Sequence, residues 1–162
     1  YDLISTRVNY DWVIGNKGVM QMNYKAGKFF NANEISFVDY KHFNGNQTHI
    51  GGGNDYTNQF NNLPYYSAST NTKYFETHLE HNDQGFIMNK IPLLNKLQSQ
   101  LVLGVHNLAI PNRYPYQEFT IGLDNLGYGK VRIFRFDYIR SYQNGYQGDA
   151  ILFGLKILNA LE

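Results

Sequence analysis

Hydrophobic and polar positions alternate along most of this chain. From Leu3 to Ile14, Ser5, Arg7, Asn9 and Asp11 fall on one side of an extended backbone and Ile4, Val8, Tyr10 and Trp12 on the other. A period of two predicts a strand. Gly15-Asn16-Lys17-Gly18 predicts a tight hairpin, after which Met20, Met22 and Tyr24 oppose Gln21, Asn23 and Lys25. A third, less regular strand is expected over Glu34–Phe43. From Lys73 the alternation sets Phe75, Thr77 and Leu79 against Glu76, His78 and Glu80. It recurs in Leu101–His106, in Glu118–Leu123, in Phe134–Tyr138 and in Ile151–Ile157. About eight antiparallel strands follow, with connections alternating short and long. One helix-like stretch, Met88–Leu97, has Pro92 early in it.

Between the early and late strands the pattern stops. Residues 44–70 form a long polar loop, rich in Asn and Gly and nearly free of aliphatic side chains over its first two-thirds. Loops of that length in compact folds are usually functional or disordered. Gly51-Gly52-Gly53 lacks a following Lys-Ser or Lys-Thr and a strand-to-helix setting, so it reads as flexible loop and not as a phosphate cradle. No repeat of 20 to 50 residues is present, which removes propellers and solenoids.

Composition narrows the reading. The 162 residues suit one domain or part of one, and a first residue of Tyr1 suggests a piece of something longer. Net charge is +1, without the basic excess of a nucleic-acid binder. Cys is absent, which removes disulfide scaffolds, thiolate metal sites and cysteine nucleophiles. Mean hydropathy is −0.46 and no apolar run is long enough for a membrane helix. A membrane barrel needs no such run, because its strands are apolar only at alternate positions.

Alternation does not say which face is inside. A soluble sandwich or lipocalin-like domain would bury the apolar face; a transmembrane barrel would turn it to lipid. Three features favour the barrel. Charges of both signs lie on the polar faces. Aromatics such as Trp12, Tyr114, Tyr116, Tyr138 and Tyr142 sit toward strand ends. Several strands also exceed the nine residues needed to cross hydrocarbon. The expected interior row is Arg7, Glu76, His78, Glu80, Glu118, Arg135, Asp137 and Lys156; Trp12, Phe119, Phe134 and Phe153 are expected to face lipid.

Chemistry on that row is sparse. Glu76, His78 and Glu80, with His81 on the opposite face, are metal-ligand types, but same-face neighbours on one strand stand about 7 Å apart. The plainer reading is a polar row paired with Lys73, Arg135 or Lys156. Ser5, Ser36 and Ser99 carry no nucleophile motif. Neither catalytic residues nor cofactors are assigned, and the chain does not read as an enzyme. Residues 89–96, apolar between Lys90 and Lys96, fit an interfacial segment or a turn packed on a rim.

Several blocks carry a family resemblance: His42-Phe43-Asn44-Gly45-Asn46-Gln47-Thr48, Leu63-Pro64-Tyr65-Tyr66-Ser67, Tyr74-Phe75-Glu76 with His78, and above all Asn89-Lys90-Ile91-Pro92-Leu93-Leu94. From about Glu34 to Leu158 the chain resembles a Bacteroidota outer-membrane family that joins a carboxypeptidase-regulatory-like domain to a C-terminal domain of unknown function. That C-terminal domain is similar to outer-membrane assembly and two-partner-secretion barrels. The resemblance implies a Gram-negative outer membrane, a wall of near sixteen strands and no known catalytic residue. An aromatic last residue, frequent in such barrels, is absent from Ile157-Leu158-Asn159-Ala160-Leu161-Glu162. Residues 1–162 are therefore expected to be the C-terminal part of one barrel domain. Its partners would be membrane lipid and the remaining strands of a larger wall or other envelope proteins. Three functions stay open: protein insertion or translocation, a plugged structural or partner-binding barrel, and a barrel enzyme.

Overall fold

The computed structural model describes residues 1–46, 48–52, 55–92, 94–129 and 131–155. Its eight strands are β1 (Asp2–Val13), β2 (Val19–Phe30), β3 (Ile50–Gly52), β4 (Lys73–Asn82), β5 (Gln100–Ala109), β6 (Tyr116–Tyr128), β7 (Val131–Tyr142) and β8 (Tyr146–Leu155). They form one sheet in the order β1-β2-β4-β5-β6-β7-β8-β3. Seven run antiparallel to their neighbours; the three-residue β3 lies parallel to β8 at the far edge. The described residues otherwise contain only short 3-10 turns. The fold is all-β, in a single sheet.

Period-two patterning places the seven long strands where alternation predicts them. The third is different. Residues 34–43 form no strand; Phe37–Asp39 is a 3-10 turn closed by the Tyr40 N–H donating to the Phe37 carbonyl at 3.1 Å. The physical reason is that β2 pairs directly with β1 on one side and β4 on the other, so no ladder position remains beside it. Phe37 and Val38, adjacent apolar residues, are both exposed and could not share one face of a strand. The eighth strand is instead Ile50–Gly52, inside the expected loop. Met88–Leu97 is likewise not one helix but two 3-10 turns, Met88–Lys90 and Leu94–Leu97.

Connections do not alternate short and long. Residues 14–18, 110–115, 129–130 and 143–145 are short, whereas 31–72 and 83–99 are long. In the first turn Gly18 has φ +106°, and a Cβ there would lie 1.9 Å from the Asn82 carbonyl oxygen, so only glycine fits. The 83–99 connection is organised by Asp83. Its Oδ1 accepts the N–H groups of Gly85 (2.8 Å) and Leu101 (2.7 Å), and its Oδ2 that of Ile87 (2.8 Å). Burial alone would raise its pKa, but these backbone donors hold the carboxyl below its usual value. A depressed folded value means that Asp83 stabilises the turn above the unfolded carboxylate pKa, about 3.9. That contribution is lost as pH falls through the lower folded value. Amide exchange at Leu101 is therefore expected to quicken in acid, and Asp83→Asn to remove that pH dependence.

The sheet does not close on itself. Among the described residues β1 pairs only with β2 and shares no ladder with β8, which contradicts a self-contained eight-stranded barrel.

The two faces of the sheet have opposite character. One is covered by segment 31–72, whose excursion is clasped at its neck by a bridge between Lys41 and Thr70. Beneath it, Glu76, His78, Glu80, His106, Glu118, Asp124, Arg135, Asp137 and Ser141 are buried. The other face is bare and apolar, with Ile121 51% and Ile151 69% exposed. A water-soluble sheet would have these reversed.

A buried polar interface between sheet and loop

Two apolar clusters dock the loop. Phe43, Phe60, Leu63 and Ala68 pack on Tyr74, Leu108 and Tyr116, and Tyr56 packs on Ile139 and Leu152. Between and beside them lies the polar network.

Its first part is built on β7. Arg135, 1% exposed, donates from Nη1 and Nη2 to the two oxygens of Glu80, each at 2.8 Å. Its Nε donates to both oxygens of Asp137, at 3.0 and 2.8 Å. The guanidinium also lies 3.7 Å from the centre of the Tyr56 ring, which ties the loop to the sheet by a cation–π contact. Two glycines make room: a Cβ on Gly122 would sit 2.0 Å from Asp137 Oδ1, and one on Gly154 would sit 1.8 Å from Tyr56 Oη. Gly154→Ala is therefore expected to destabilise the fold by about 1–3 kcal/mol. Adding Tyr56→Phe should recover much of that loss in denaturant unfolding, since Tyr56 Oη makes no hydrogen bond among the described residues.

The second part is a chain of hydrogen bonds across β2, β4 and β5. Lys25 Nζ donates to Glu76 Oε1 at 2.9 Å, and His78 Nε2 meets the same oxygen at 2.6 Å. His78 and His106 are directly opposite in the ladder, their Nδ1 atoms 2.8 Å apart. With both rings neutral the tautomers follow in one direction. His78 donates from Nε2 to Glu76, so its Nδ1 accepts from His106 Nδ1. His106 Nε2 then accepts from Asn61 Nδ2 at 3.5 Å, the longest link.

The third part grips the loop backbone. Glu118, 0% exposed, accepts the N–H of Asn61 and of Asn62 on its two oxygens, both at 2.7 Å, and the Tyr116 hydroxyl at 2.7 Å. Asn62 Nδ2 donates to Ser141 Oγ at 2.9 Å. At the other end Asn23 donates to the Thr57 carbonyl and to Asn58 Oδ1, each at 2.7 Å, and Arg7 also donates to Asn58 Oδ1.

A family model, the C-terminal domain of the family of unknown function DUF5686, matches residues 1–123. The chain belongs to that family. The match takes in β1 to β5, the loop and most of β6, and so includes Glu76, His78, His106 and Glu118. No curated protein and no solved structure matches the chain.

The expected interior residues thus share one face; Arg7 is in one row with Lys25 and Glu76 and reaches Asn58 there, though exposed on edge strand β1, while Lys156 lies outside the described residues. Of the cations expected to pair with this row, Arg135 takes Glu80. Glu76 instead pairs with Lys25, which was not among them. His81 turns to the Lys17 carbonyl on the other side at 3.0 Å. Among the described residues no three His, Asp or Glu side chains are arranged to hold a metal ion. Trp12, Phe119 and Phe134 are exposed on the bare face, with Phe153 half-buried against Phe134 and Phe136. Sequence reading did not nominate Lys25, Tyr56, Asn61, Asn62 or His106. For His106 a signal was available, since strand parity already placed it with the polar set.

Proposed function

We propose that this chain is a section of an outer-membrane β-barrel wall whose interior is filled by its own loop, residues 31–72. The observation that carries the reading is the inversion of the sheet: charges buried on one face, large apolar side chains bare on the other. Bilayer hydrocarbon is the surrounding that such a face fits. Each long strand has 10 to 13 residues, enough to cross when tilted. The apolar band ends in polar side chains at one end: Lys28, Lys73, Asn107, Gln117 and Arg140 with Asp149.

The edge of β1, unpaired among the described residues, is the second element of the proposal. Backbone groups left open in hydrocarbon are costly, so an earlier part of the same protein or another envelope protein supplies the next strand. A larger wall of the assembly and secretion type, in a Bacteroidota outer membrane, is consistent with that edge. The role we assign is a plugged, partner-accepting wall without enzymatic activity. Passage of a polypeptide through the interior would first require the loop to leave its Glu118 and Arg135 contacts.

Conductance tests this. The full-length protein in a planar bilayer is expected to carry little steady ion current, and Glu118→Ala, which abandons the Asn61 and Asn62 amides, to raise it. Free conduction by the parent protein would contradict the plug, and failure to enter bilayers at all would contradict the membrane wall.

A further inference from the structure

The bare face carries a cleft of about 770 Å³ across β1, β2, β4 and the end of β5. It arises because Thr6, Ala26, Phe75 and Ala109 share one cross-strand row in which three of the four side chains are small. Phe75 divides that row, and Ile4 and Phe30 rise at its border. The next row toward the strand ends reads Ile4, Lys28, Lys73.

Lys28 and Lys73 are therefore directly opposite each other on adjacent strands, at the mouth of an apolar cleft. Like charges so placed destabilise a sheet unless an anion lies between them. Neither lysine forms an ion pair among the described residues, and the one contact found is Lys28 Nζ at 4.8 Å from the Phe30 ring centre. Arg140, on the same face at this end of the band, is by contrast neutralised by Asp149. Among the described residues the lysine pair thus keeps two uncompensated charges where apolar surface gives way to polar.

We propose that this cleft binds an anionic phospholipid. The proposal rests on the reading of the bare face as lipid-facing. An acyl chain lies against Thr6 and Ala26, beside Phe75, and the phosphate sits between Nζ of Lys28 and Nζ of Lys73. Lysine stems reach along apolar surface while their ammonium groups stay at headgroup level. The cleft has the size of a small-ligand site. A zwitterionic headgroup is disfavoured because its own cation would be brought to two unneutralised lysines.

The test uses the full-length protein, stripped of lipid in detergent and exposed to equal amounts of phosphatidylglycerol and phosphatidylcholine, with bound lipid read by native mass spectrometry. Retention of phosphatidylglycerol is expected to exceed that of phosphatidylcholine at least about tenfold, since both lysines attract an anionic headgroup. The double variant Lys28→Gln/Lys73→Gln should abolish the preference, and Ala26→Phe, which fills the cleft and leaves the charges, should lower retention of both lipids. Lys17→Gln/Lys96→Gln, away from the cleft, should change nothing. Equal phosphatidylglycerol retention by the Lys28/Lys73 variant would overturn the inference. A protein that enters bilayers yet shows no preference refutes this site alone, whereas one that stays out of bilayers refutes the membrane reading beneath it.

Discussion

Arg135→Met is expected to destabilise the folded protein by about 3–5 kcal/mol, the usual result of removing one partner from a buried ion cluster. Three contacts explain the size. Arg135 satisfies both oxygens of Glu80 and both of Asp137, and its guanidinium faces the Tyr56 ring. With the guanidinium gone, two carboxylates remain under the loop with no cation in contact. Unfolding in denaturant, in micelles or bilayers, measures the loss. Arg135→Lys should recover only part of it, because an ammonium cannot present the forked donors that Glu80 and Asp137 share. The triple variant Glu80→Gln/Arg135→Met/Asp137→Asn should be more stable than Arg135→Met alone, since it leaves no buried charge unpaired. A loss below 1 kcal/mol in the single variant would show that water reaches the cluster and that the loop does not seal this face.

Ile121→Arg, on the opposite face of the sheet, is expected to cost about 2–4 kcal/mol when the protein is folded in a bilayer. Ile121 lies in the middle of the apolar band, between Leu103 on β5 and Tyr138 on β7, and is 51% exposed. On a surface wetted by water the same substitution would cost almost nothing. The comparison is therefore diagnostic: a large loss in bilayers identifies hydrocarbon as the surroundings of this face. Gln117→Arg, on the same face beyond the band, should cost 1 kcal/mol or less, as near an interface.

How far the fold can be read from the chain follows from the range over which each signal acts. Strand parity is local, so alternation in Leu3–Ile14, Lys73–Glu80 and Phe134–Tyr138 was enough to place the strands and to sort Glu76, His78, Glu80, Glu118, Arg135 and Asp137 onto one face. The loop obeys no such period. Its grip comes from the backbone N–H groups of Asn61 and Asn62, which have no sequence signature, and from Tyr56 and Phe60, which touch strands far along the chain. Glu34–Phe43 misled because its interspersed Ile35, Phe37, Tyr40 and Phe43 imitate the apolar positions of a strand, while the decisive fact, that β2 already has neighbours on both sides, is a property of topology. Arg135 was legible as a partner for this row and takes Glu80, but the partner of Glu76 was not, for a related reason. Lys25 meets Glu76 because β2 is directly beside β4 in register, which could not be known while a strand was expected between them. The glycines held a clue that parity alone would have supplied. Gly104, Gly122 and Gly154 all fall on the polar face; Asp137 and Tyr56 occupy the space a side chain would take at Gly122 and Gly154, and Thr120 and His106 crowd that of Gly104.

Because the chain contains no Cys, single cysteines can report the surroundings of each face. Phe119→Cys, Ile121→Cys, Phe136→Cys and Tyr138→Cys would sample the bare face; Thr120→Cys and Ile139→Cys would sample the covered one. Each would carry a fluorophore in the full-length protein reconstituted in vesicles whose lipids bear a quencher on the acyl chain. Ile139 is the sharpest control, being apolar yet fully buried beneath the loop. Strong quenching at 119, 121, 136 and 138, with little at 120 and 139, is the result expected of a membrane wall with a filled interior. Quenching that ignores this alternation, or that is absent at 121 and 138, would contradict it.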